Sequence, residues 1–200
     1  DDRRPFAAGG ALPVPTGTAL ARMLLAEAGA ARLVPFRIKR GDVIALGRLM
    51  VFSARSPARI VLLAATGHER SEWAAFGEAA THFKSLLIVV PVEPGAASYP
   101  AALGLPNVIA VAAHEAVARV APVLAQPAWI DIAAPSGGGD TRLAAARIAA
   151  LAARLLTAEP SQEGPALKAR ILSLARPLPA PHDTTTRHGW IAEPQRPLRP

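Results

Sequence analysis

The stretch SGGGDTRLAAARIAALAARLL, residues 136–156, sets three glycines, an aspartate, a threonine and an arginine ahead of an alanine-rich helix. A glycine turn entering a helix can hold a phosphate, because free backbone N–H groups and the helix dipole favour an anion. It can also present a nucleophile. Neither chemistry is complete here. The lysine of a phosphate loop is missing at its spacing, and Asp140 would repel a phosphate. No serine or cysteine stands beside Thr141; the next residue is Arg142, which stays protonated and has no lone pair to offer a carbonyl. The histidines are His68, His82, His114, His182 and His188. His182, Asp183 and His188 have the composition of a metal cluster, but spacing alone is weak ground for one. His68 lies in a turn, where solvation is the plain expectation. No metal and no cofactor is expected.

Whatever these residues do, a larger body must position them. The chain has 200 residues, enough to bury a core without disulfides or metals, and it has no cysteine. Half of it is apolar, yet only 4% is aromatic, so the core must be Ala, Val, Leu and Ile packed at close range. The net charge of +7 comes from scattered arginines. With no dense basic run and no interleaved aromatics, no nucleic-acid partner is expected. The plain expectation for the excess is a coding bias toward Arg and Ala, although a basic surface could also meet anionic lipid or an acidic protein. No segment reaches the about 18 apolar residues that span a bilayer, since Arg147 and Arg154 interrupt residues 143–156. If Asp1 is a processed N-terminus, the protein is exported, to the periplasm or the outside.

Along the chain, residues 1–15 read as an irregular arm with Pro5, Gly9, Gly10, Pro13 and Pro15. Helical spacing starts at Thr16 and stops at Gly29. Residues 31–38 predict a short strand, and 42–52 fit a helix or a strand. Apolar strands follow at 59–65, 85–92, 107–115 and 128–134, with helices at 73–83, 141–157 and 166–176. Residues 177–200 form a Pro/Arg-rich tail that reads as extended. Apolar strands alternating with helices predict an α/β fold with a mainly parallel central sheet covered on both faces, and a ligand site beyond the carboxyl ends of the strands. The domain proper is taken as 16–176.

Three segments, in order, resemble the subtilisin-like serine proteases. SLLIVVPVEPGAASYPAALGLPNVIAVAA (85–113) is similar to that family's central stretch, in which a strand leads to an oxyanion-hole Asn, a Tyr-Pro-Ala turn and a Val-Ile-Ala-Val strand. Tyr99, Pro100 and Ala101 carry the turn. WIDIAAPSGGG (129–139) resembles the strand that ends in Ala-Pro-Gly. TRLAAARIAALAARLL (141–156) resembles the helix that bears the nucleophile. More weakly, TGTALARML (16–24) is similar to the start of the His helix, RIVLLAATG (59–67) to the substrate-binding edge strand, and ALKARILSLAR with HGWI (188–191) to the close of the domain. The resemblance covers 16–191 and lacks the first strand.

The family's chemistry needs Ser, His, Asp and an oxyanion donor. By resemblance, the His position falls on Thr16 and the nucleophile position on Arg142. The oxyanion Asn falls near Val92, Glu93 or Pro94, and Glu93 would repel a developing oxyanion. The Asp strand should lie some thirty residues before the His, but only fifteen residues precede Thr16. Asp1 and Asp2, on the arm, are poor substitutes. Arg142 is expected to pair with Asp140 or another nearby acid.

The resemblance therefore implies a degenerate member without catalysis: a protein- or peptide-binding module, or a subunit of a complex. The family grips extended peptides by strand addition, which relies on main-chain hydrogen bonds and outlasts the triad. The cleft candidates are Ala64, Ala65, Thr66, Gly67, His68, Glu93, Gly137, Gly138 and Thr141. Two alternatives stand beside this reading. One is a structural subunit whose basic, Pro-rich termini contact an acidic partner. The other is a residual serine endopeptidase completed by another chain.

Overall fold

In the computed structural model the described residues are 17–39, 42–93, 97–114, 129–136, 139–177 and 186–192. Four parallel strands form one sheet in the order β1 (Ile60–Leu62), β2 (Leu87–Pro91), β3 (Val108–His114) and β4 (Ile132–Pro135). The helices are α1 (Gly17–Ala28), α2 (Val43–Arg55), α3 (Ala74–His82), α4 (Thr141–Ala158) and α5 (Gly164–Ser173). The expected α/β architecture is present, with the sheet buried between two helical layers.

The strands are apolar throughout because both faces are covered. Successive side chains point to opposite faces. Ile88, Val90, Val108, Ala110 and Ala112 pack toward α2 and α3, with Leu46, Met50 and Phe76. Leu87, Val89, Ile109, Val111, Ile132 and Ala134 pack toward α4, α1 and α5. Few aromatics are needed because α4 lies close. Ala144, Ala145, Ala146, Ala149, Ala150 and Ala152 are all buried, and Ile148 is the one large side chain that joins them there.

Two local devices fix the ends of elements in this frame. Asp42 caps α2, its Oδ1 accepting the Ala45 N–H at 2.9 Å, which settles residues 42–52 as helix. Gly164, at the start of α5, donates its N–H to Lys84 O at 2.9 Å. A Cβ there would stand 2.2 Å from Leu86 O, so only glycine lets α5 reach the entry to β2.

Residues 31–38 are not a strand, contrary to their pattern. They form a connector between the two helical layers. Ala31 and Leu33 rest on the α4 side, Ile38 on the α2 side, and Phe36 sits 6.0 Å from Phe52, centroid to centroid. Their apolar alternation reflects contacts with two separate layers rather than a ladder partner. At the other end, residues 186–192 are docked on the sheet. Ala133 N donates to Gly189 O and Ile191 N to Ala133 O, both at 2.9 Å, while Trp190 exchanges two bonds with Arg176. This part of the 177–200 segment closes the outer side of β4, where HGWI was expected to end the domain.

Candidate functional site

All four strands run the same way, so their carboxyl ends open on one rim, where α/β proteins bind ligands. Residues 64–68 leave β1 there, Val92 and Glu93 leave β2, and Ser136 leaves β4 toward α4. The described cleft candidates therefore converge, although they come from distant stretches of sequence.

Arg142 and Glu93 form the centre of this rim. Arg142 Nη2 lies 2.5 Å from Glu93 Oε1, and the two side chains are 19% and 28% exposed. The position matched to the nucleophile and one of those considered for the oxyanion donor thus meet in an ion pair. Of the other two considered there, Val92 is buried in the core and Pro94 lies outside the described residues. Asp140 takes a different role from the expected ion pair. Its Oδ1 accepts the N–H groups of Arg142 at 2.7 Å and Leu143 at 3.2 Å, making it the N-cap of α4. With Asp140 spent on the helix terminus, Glu93 is the acid that meets the guanidinium. Thr141 is the first residue of α4.

The segment after β1 is tied to the loop after β2. Gly67 and Tyr99 exchange N–H and C=O bonds at 3.1 and 2.9 Å, and His68 Nδ1 lies 2.9 Å from Ala97 O. A Cβ on Gly67 would meet Trp73 Nε1 at 2.6 Å, so glycine is required at this crossing. Ser98 is fully buried, and its Oγ accepts the Glu93 N–H at 3.1 Å. One hydrogen-bonded chain thus runs from His68 through the 97–99 loop to Glu93 and Arg142. Nothing in the sequence reading singled out Ser98; its proximity to Glu93 was visible only as a short loop.

Beyond this junction the outer edge of β1 is unpaired among the described residues. Leu87 N donates to Arg59 O and Leu63 N to Val89 O, so residues 59, 61 and 63 face β2. By strand alternation the main-chain groups of Ile60, Leu62 and Ala64 face the other way, and no described element pairs with them. The expected peptide-accepting edge is therefore unsealed among the described residues. Ala65 is partly buried on the α2 side, and Thr66 leads to the Gly67 junction.

Other expected site residues fall elsewhere. Thr16, Gly137 and Gly138 lie outside the described residues, as do Asp1, Asp2, His182 and Asp183. Among the described residues no group of three His, Cys, Asp or Glu could hold a metal. His82 ends α3 away from this junction, stacked edge-on against Phe83. His188 donates its backbone N–H to Asp131 O. His114 ends β3 but is buried against Trp190, with ring centroids 5.0 Å apart.

Two buried polar clusters that sequence reasoning missed hold the frame. Asp131 Oδ2 accepts from Lys168 Nζ at 2.8 Å and from Ala110 N at 2.9 Å, joining β4, α5 and β3. Asn107 Nδ2 donates to Ala80 O and Leu86 O, tying the end of α3 to the entry of β2. Both are polar residues inside apolar runs, the pattern that signals a buried partner.

No family model matches this sequence. No curated protein sequence matches it either. Solved structures do. The chain is similar to a lanthipeptide protease, with a TM-score of 0.73 and 16% identity over 88% of this chain and 73% of that one. It is similar to MycP1 with the N-terminal propeptide removed, with a TM-score of 0.62 and 19% identity over 76% of this chain and 65% of that one. A chain in the periplasmic assembly of the ESX-5 inner membrane complex gives a TM-score of 0.58 and 18% identity, over 79% of this chain and 54% of the other. This chain thus spans less than two thirds of the length of the last two. At such identities the likeness is one of architecture, and it agrees with the motifs of residues 85–113 and 129–156: the protein has a subtilisin-like α/β fold.

Proposed function

We propose that this domain is a catalytically silent relative of the subtilisin-like proteases that binds an extended peptide or partner protein and serves as a subunit of an exported complex. The Glu93–Arg142 ion pair carries the reading. A guanidinium cannot attack a carbonyl, and a carboxylate accepts hydrogen bonds but donates none to an oxyanion. Each neutralises the other across the place where the reacting groups would meet. The edge of β1, unpaired among the described residues, supplies the remaining capacity, since strand addition needs only the main-chain groups of Ile60, Leu62 and Ala64. The likeness to MycP1 and to a chain of a periplasmic assembly supports export and membership of a complex. No described helix is long and apolar enough to cross a membrane.

The test is hydrogen exchange on the full chain with and without oxidised insulin B chain, a long unstructured probe peptide. Slowed exchange over residues 60–68, with the peptide recovered uncut, is the expected result. Cleavage of the peptide would contradict the silent reading. Unchanged exchange over 60–68 at saturating peptide would contradict the edge as the binding site.

A further inference from the structure

We infer that the outward face of α2 is a docking surface for an acidic amphipathic helix of a partner protein. α2 is apolar on two sides. Leu46, Leu49 and Met50 enter the core. Ile44, Val51 and Phe52 point the opposite way and are 66%, 38% and 47% exposed. Phe36 extends the patch by resting on Phe52. Single exposed apolar residues are ordinary on a protein surface; a continuous stripe along a helix is not.

Charge specifies the occupant. Arg48 and Arg55 share this stripe, are exposed, and form no ion pair with a described residue. At about 100° per residue, Arg55 falls about 20° and Arg48 about 40° round the helix from Ile44, with Phe52 at about 80°. The two cations therefore lie within the apolar stripe, not along its margins. A lipid surface favours the reverse order, with apolar residues inserted and cations flanking them at the headgroups. A protein helix can place carboxylates inside its own apolar ridge and meet both guanidiniums with paired, directed bonds. Asp42, the acid next to the stripe in sequence, is occupied in capping α2.

Shape agrees with a helix as the occupant. Gly47 lies on the same face, and a Cβ built there would find no atom within 4 Å, so the surface dips between Ile44 and Val51. A ridge of side chains from a crossing helix fits such a dip. From Ile44 to Arg55 the stripe runs about 16 Å at the helical rise, three turns of contact. The surface shares no residue with the rim formed by residues 64–68, Glu93 and Arg142, so the inference stands or falls apart from peptide binding there.

The experiment uses the full chain and a synthetic 18-residue helical peptide with a leucine ridge interrupted by two glutamates seven residues apart. Titration by fluorescence anisotropy is expected to show saturable binding. The double variant R48E/R55E, altered only at exposed positions, should bind at least tenfold more weakly with an unchanged far-UV circular dichroism spectrum. A peptide with lysine in place of the two glutamates should bind that variant better than the parent chain. Absence of binding, or equal binding by parent and double variant, overturns the proposal. So does binding to phosphatidylglycerol vesicles with none to the peptide, which would assign the face to lipid. A dimer that F52R dissociates would assign it to a second copy of the chain and overturn the proposal as well.

Discussion

Arg142 and Glu93 stand 49 residues apart and meet at 2.5 Å because β2 and α4 deliver them to the same rim. Their partial exposure sets the size of the interaction between that of a surface pair and that of a buried one. Glu93→Gln or Arg142→Ala should each cost about 1–2 kcal/mol in urea denaturation, and neither should create peptide hydrolysis. Swapping the two residues should recover most of the loss. The pair Asp131–Lys168 is more deeply buried, at 6% and 14% exposure. Asp131→Ala leaves the Ala110 N–H without its acceptor and the Lys168 ammonium with Val108 O but no counter-charge, and should cost about 3–5 kcal/mol. A residue list alone reached Arg142 and Glu93 as separate anomalies. It suggested an acid for Arg142 but not which one, because the choice depends on Asp140 being committed to the N-cap, a backbone fact.

At the scale of elements, the strands were legible wherever burial was two-sided. LLIVVP and VIAVAAH read as unbroken apolar runs, and both lie in the middle of the sheet. Residues 31–38 show the limit of this reading. Val34, Phe36 and Ile38 have the alternate spacing of a strand, but pairing depends on a free edge at the right place, which local pattern does not encode. The docking of residues 186–192 was visible only as a resemblance at HGWI, since so short a segment has no periodicity of its own. It depends on Gly189, whose φ is +97° and whose Cβ would lie 2.0 Å from Arg176 O. Gly189→Ala should free the segment and cost at least about 2 kcal/mol. Trp190, now packed against His114, would then show red-shifted fluorescence, and exchange at Ala133 and Ile191 would quicken. Unaltered Trp190 emission would show that the strap tolerates the side chain.

For the whole molecule, fold and chemistry separate. At 16–19% identity to a lanthipeptide protease and MycP1 the architecture persists, because alternating apolar strands and an alanine-faced helix can be met by many sequences. Catalysis has no such latitude, since it needs particular atoms at particular places. Among the described residues the outer edge of β1 is unpaired and the outer face of α2 is exposed. The scaffold is proposed to bind without cutting. The most direct test is labelling of the intact chain with a fluorophosphonate probe, read by mass spectrometry beside an active subtilisin. No adduct is expected on this chain under conditions that label the control fully. A stoichiometric adduct on any of its serines would contradict it.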